Sequence, residues 1–222
     1  MTGEHRDNGE SGDTDHSGDT FDADGGLKGR LVDYLHEQRA ALRAKLDGLS
    51  EQQARMPRTP TGTNLLGLLK HCASCELGYF GVVFARPSTL PFPWDAPGAD
   101  PSDNLDMFAT ESESMADVLA FAEACFAHAD ATIAALDLDA PGQVPWWPAD
   151  RRRVTLGQIL AHVALDEARH AGHADILREL IDGGAGRRGP GDNLPDWDET
   201  TWAAYVQRLE RIARHSQPAR HS

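Results

Sequence analysis

Apolar residues recur at three- and four-residue steps in four long segments of this sequence, and nowhere does a two-residue alternation compete with them. That periodicity restricts the chain to helices packed on helices. The first helix is expected over 27–48, along Leu27, Leu31, Tyr34, Leu35, Leu42, Leu46 and Leu49. Ser50 with Gln53 forms a capping-box signature for a short turn that Pro57 and Pro60 stop. Thr63 is expected to cap a second helix through Leu65, Leu68, His71, Cys75, Tyr79 and Val82, ending at Pro87. The third spans 111–137, and Thr155 with Gln158 opens a fourth that ends near Gly183 and Gly184. A shorter helix over 198–214 aligns Trp202, Tyr205, Leu209 and Ile212. Residues 86–110 carry five prolines and read as a long crossover. The expected architecture is all-α: a four-helix bundle with one long crossover loop and an additional C-terminal helix.

Residues 1–26 hold eight acids against one base, half of the formal charge of −14. With Phe21 as their sole large apolar residue after Met1, they read as a disordered acidic tail. Residues 27–214 form the expected domain and 215–222 a flexible C-terminal tail. The acidic balance argues against a nucleic-acid partner, which would require clustered Lys and Arg. No stretch approaches the ~18–20 continuous apolar residues of a membrane span, and no secretory pattern opens the chain. Cys72, Cys75 and Cys125 are too few for a disulfide framework, so a reducing, cytoplasmic setting is expected. The oligomeric state, including a homodimer, stays open.

The polar residues of the fourth helix lie where a solvent face would not put them. Asp166, and His170 one turn later, fall within the arc marked by Ile159, Val163, Leu177 and Leu180, with His162 and His173 beside them. Carboxylates and imidazoles in an apolar stripe must be paired or metal-bound, because an uncompensated buried charge costs several kcal/mol. The one-turn spacing lets Asp166 and His170 converge on one cation. His71, which shares the second helix's stripe with Leu68, Cys75 and Tyr79, is the candidate for the third ligand. A single histidine on such a face is ordinarily a hydrogen-bonded core residue, but Asp166 and His170 reverse that reading. Three N/N/O ligands leave one coordination position open.

The segments LLGLLKHCASCELGYF and LGQILAHVALDEARHAGHADILRELIDG resemble the DinB/YfiT-like superfamily, most closely its actinobacterial branch called "mini-circle protein" or domain of unknown function. The resemblance spans about residues 27–214. It implies a DinB-like bundle holding a divalent metal through His71, Asp166 and His170, and an enzyme that uses mycothiol, bacillithiol or glutathione, as in a related maleylpyruvate isomerase. Asp166 stands where this branch commonly has Glu, which shortens that ligand's arm by one methylene.

Zn²⁺ is the first expectation for this donor set, and Ni²⁺, Mn²⁺ and Fe²⁺ also fit. His162 and His173 are read as groups orienting Asp166 or His170. Cys75 lies near enough to His71's face to line a pocket, although Cys72 and Cys75 also read as small packing residues. Trp146, Trp147 and Arg151 to Arg153 form either a lid or anion-binding lip, or a loop pinned by aromatic burial with solvated arginines. The functional expectation is a metal-dependent enzyme that transfers a low-molecular-weight thiol, mycothiol first, to an electrophilic substrate, or isomerises a substrate with the thiol's help. Two alternatives stay open: a hydrolase that activates water on the metal, and a bundle that binds metal or a small ligand without turnover.

Overall fold

The computed structural model of the chain describes residues 26–186 and 191–215. The acidic segment and the end of the C-terminal tail lie outside them, so the readings of those segments do too. Most of the structure is helical. Helix α1 spans Gly26–Ala44, shorter than expected because the chain turns through 45–48 to Gly48, whose φ of 74° is open to glycine at little steric cost. The short α2, Glu51–Arg55, opens on the expected capping box: Ser50 Oγ accepts from Gln53 N–H at 3.3 Å, and Gln53 Oε1 accepts from Ser50 N–H at 2.9 Å.

Helix α3, Leu65–Glu76, is capped by Asn64 and not by Thr63. The Asn64 Oδ1 accepts from Gly67 N–H at 2.7 Å while its amide donates to Met107 O at 3.1 Å, so one residue both starts the helix and ties down the crossover. The same rod continues as a π-helical turn over Leu77–Val82, a local widening common where a helix serves a functional site. The crossover carries 3₁₀ turns at Pro93–Asp95 and Pro101–Asp103. Helix α4, Met115–Ala135, begins on a Ser114–Asp117 capping box. By length and composition α4 is apolar enough to cross a membrane, but here it walls the core, burying Val118, Ala122, Cys125, Phe126, Ala129 and Ile133.

The expectation that no strand interrupts the helices is corrected by a small antiparallel ribbon, β1 (Pro141–Gln143) against β2 (Arg153–Thr155). Strands of three residues are too short to display alternation. The ribbon is held by burial of Val144 and Val154 against the π turn's end, and a Cβ on Gly142 would stand 2.7 Å from the Phe84 ring. Helix α5, Leu156–Asp182, has the Thr155–Gln158 box at its start and the left-handed Gly183 at its end, both as expected. Helix α6, Glu199–His215, forms near its expected bounds but buries none of its residues, so of the aligned residues Tyr205, Leu209 and Ile212 remain exposed.

Helices α1, α3, α4 and α5 enclose two apolar clusters, one around Leu42, Leu66, Leu69, Ala122 and Ala174, the other around Leu35, Phe80, Ile133, Ile159 and Leu160. Where the helices pass from one cluster to the other, each contributes a polar residue: Arg39, Glu76, Asp130 and Glu167. The Arg39 guanidinium donates to both Glu76 oxygens at 2.6 and 2.5 Å and to Asp130 at 2.8 Å. Burial, foremost, and then the neighbouring Glu76 charge push the Glu167 carboxyl well above its ordinary value, so the core favours its protonated form.

Candidate functional site

Beside this layer, two one-turn pairs face each other, His71 and Cys75 on α3, Asp166 and His170 on α5. His71 Nε2 stands 3.5 Å from Cys75 Sγ, and ligand atoms of His71, Cys75 and Asp166 all lie within 4.8 Å of one another. His170 adjoins that trio without belonging to it: its Nε2 is 3.6 Å from Asp166 Oδ2 and its ring centroid 4.8 Å from that of His71. Its Nδ1 is buried with no hydrogen-bond partner among the described residues. Burial, reinforced by the charge of His71, keeps His170 below its ordinary pKa and therefore neutral at pH 7.

The arc expected on α5 is displaced by about one residue. Its inward face runs Leu160, Val163, Glu167, Ala171, Ala174, whereas Leu180 is 64% exposed. Asp166 and His170 therefore flank the core face, with side-chain exposures of 44% and 18%. Glu167, one residue away, is the buried acid. Its spacing of four from both Val163 and Ala171 marks it in the sequence.

The crossover contributes a group that no periodicity reveals. Asp106 Oδ2 accepts from His71 Nδ1–H at 2.7 Å, leaving Nε2 to face Cys75. This hydrogen bond, foremost, and that with Cys75 push the His71 pKa up to about 10, and Asp106 is correspondingly lowered. The loop is fixed by its carbonyls: Lys70 donates to Phe108 O at 3.0 Å and Arg55 to Thr110 O at 2.9 Å. Gly67 admits the Met107 carbonyl so closely that a Cβ there would be 1.8 Å from the oxygen.

Of the two flanking histidines, His162 is exposed and turns away from the ligands, its Nε2 lying 3.1 Å from Tyr79 OH. His173, also exposed, sets its ring 5.7 Å from that of His170. Tyr79, carried by the π turn, packs edge-on against Trp146 and Trp147. With Trp146, Phe92, Trp94, Val82 and Cys75, it walls a cavity of about 470 Å³. Trp147 packs behind Tyr79 against His162. Arg153 sits exposed on β2 opposite Gln143 and is not among the residues lining this cavity.

Cys75 is common to the cluster of candidate ligands and the cavity wall, so the aromatic cavity opens onto one edge of that cluster. The donors suit a divalent cation: His71 Nε2, Cys75 Sγ and an Asp166 oxygen gather from two helices, and His170 Nε2 stands beside Asp166. A family model described as mycothiol-S-transferase matches residues 30–183, from the first turns of α1 to the cap of α5. No curated protein matches the chain.

Proposed function

Because the chain belongs to the mycothiol-S-transferase family, a DinB-like family, we propose that it catalyses metal-dependent transfer of mycothiol sulfur to an apolar, aromatic electrophile. The observation that carries this reading is the convergence of His71, Cys75 and Asp166, with His170 Nε2 beside Asp166, at a point where Cys75 also lines an aromatic-walled cavity. In it the four long helices act as a DinB-type bundle whose role is to hold His71, Asp166 and His170 as metal ligands, with Zn²⁺ the first candidate. Bound there, the cation would supply Lewis acidity that keeps a thiol ionised well below its ordinary pKa of ~8.5.

The residues do the rest. Asp106 fixes the His71 ring so that Nε2 is directed inward. Tyr79, Phe92, Trp94 and Trp146 exclude water and stack a flat electrophile against the entering sulfur. The sulfur lone pair forms the new bond to carbon, the leaving group departs with the old bonding pair, and the thiol proton goes to solvent. The three free cysteines accord with a reducing, cytoplasmic setting.

The test combines metal analysis with conjugation of mycothiol to 1-chloro-2,4-dinitrobenzene. Chelation should abolish conjugation and Zn²⁺ restore it, while His71→Ala, Asp166→Ala and His170→Ala should each lose bound metal. Conjugation that survives chelation, or full metal stoichiometry in His71→Ala, overturns the reading.

A further inference from the structure

The geometry points to Cys75 as a fourth protein ligand that caps the metal in the absence of thiol and is displaced when mycothiol enters. This inference rests on the metal site proposed above. Each of the two helices offers an i, i+4 pair, so the donor set is two imidazoles, one carboxylate and one thiolate. In a tetrahedral zinc shell a sulfur and a nitrogen stand about 3.6 Å apart, and a nitrogen and an oxygen about 3.4 Å. Cys75 Sγ is 3.5 Å from His71 Nε2, and His170 Nε2 is 3.6 Å from Asp166 Oδ2. Both edges are near tetrahedral lengths, and it is Cys75 whose sulfur joins His71 and Asp166 in a trio of ligand atoms all within 4.8 Å of one another.

Four ligands would make a closed structural site were all of them equally inaccessible. Cys75 differs from the other three because it also lines the cavity, so an incoming sulfur meets it first. It is also the last helical ligand before the chain widens into the π turn at Leu77. The exchange is thiolate for thiolate: the entering sulfur takes the place of Cys75 on the metal and its proton passes to Cys75 Sγ, which releases it to solvent when Cys75 returns to the metal after the product leaves. Ligand number and charge stay constant. The two other cysteines, Cys72 and Cys125, are fully buried in the core and serve as controls.

The experiment is the absorption spectrum of full-length protein loaded with one equivalent of Co²⁺, before and after addition of mycothiol. Before thiol, a near-ultraviolet sulfur-to-cobalt charge-transfer band is expected. It should vanish in Cys75→Ser and Cys75→Ala and persist in Cys72→Ala and Cys125→Ala. On addition of mycothiol the wild-type band should shift without gaining a second sulfur's intensity, whereas in Cys75→Ala it should appear anew. Cobalt bound with no such band in thiol-free wild-type protein refutes the role of Cys75 and leaves the other three ligands standing. A doubled band on adding mycothiol refutes displacement. Failure of the wild type to bind cobalt at all overturns the proposed metal site, and this inference with it.

Discussion

Replacing Asp106 with asparagine should change how metal affinity depends on pH, and by an amount the site itself sets. Asn keeps an oxygen to accept from His71 Nδ1–H, so the ring stays oriented, but it removes the negative charge. In the metal-free protein His71 is pushed up to about 10, with the Asp106 hydrogen bond as the leading cause. At pH 7 a metal must therefore displace a proton from an imidazolium held about three pH units below its pKa, a competition of about 4 kcal/mol or ~1000-fold in apparent affinity. Without the carboxylate His71 falls toward the ordinary ~6.5, and that competition nearly disappears above pH 7. Against this, losing an outer carboxylate weakens the intrinsic affinity by about 10- to 100-fold. Zinc competition against a chromophoric chelator from pH 6.5 to 9 should thus give a wild-type log affinity that climbs about one unit more per pH unit than the variant's. The curves should converge or cross toward neutrality, with the variant weaker at pH 9. The folded-state pKa of His71 is raised, so in metal-free protein its ion pair is fully present below the unfolded value and is lost as pH rises toward 10. The wild-type melting temperature should fall across that window more than the variant's. Parallel affinity curves would refute the coupling of Asp106 to His71.

Glu167→Gln should stabilise the protein at pH 8 and be nearly neutral at pH 4, because a carboxyl raised by burial contributes stability below its unfolded pKa and loses it as pH rises, at about 1.4 kcal/mol for each pH unit above that value; an equal effect at both pH values in denaturant titrations would contradict a neutral buried acid. Gly67→Ala should destabilise by about 1–3 kcal/mol through overpacking, and an unchanged melting temperature would show that Met107 does not press on α3 as its carbonyl contact implies. Trp146→Ala should raise the KM for an aromatic electrophile several-fold with metal content unchanged, and an unaltered KM would remove the cavity from the substrate's path.

What the sequence discloses follows the range of the interactions involved. The Thr155–Gln158 box and the Gly183 stop are written within a few residues of where they act, and both form. The convergence of His71 with Asp166 is legible because helical periodicity carries a face over many turns. The choice of Asn64 over Thr63 as cap rests on a second hydrogen bond to Met107, which no local rule contains. Asp106 is invisible for the same reason: it meets His71 only because a proline-rich loop is pinned across α3. Glu167 is legible, since it continues the Val163 to Ala171 stripe, but Leu180 draws the apparent arc toward Asp166. Cys75 is visible as a neighbour of His71's face, but its separation from Asp166 belongs to tertiary structure.

The polar layer of Arg39, Glu76, Asp130 and Glu167 bears on helix register. The apolar clusters on either side are rich in Leu and Ala, and apolar contacts of this kind alone penalise a slide of one helical turn, about 5.4 Å, less sharply than a buried ion pair does. A slide of α3 against α1 would strip Arg39 of Glu76, and an uncompensated buried charge of that kind costs about 3–5 kcal/mol. Glu76 directly follows Cys75, and Glu167 directly follows Asp166. The layer that resists slippage thus lies one residue from the candidate donors, so the register it fixes is also the register that brings Cys75 and Asp166 within 4.8 Å of each other.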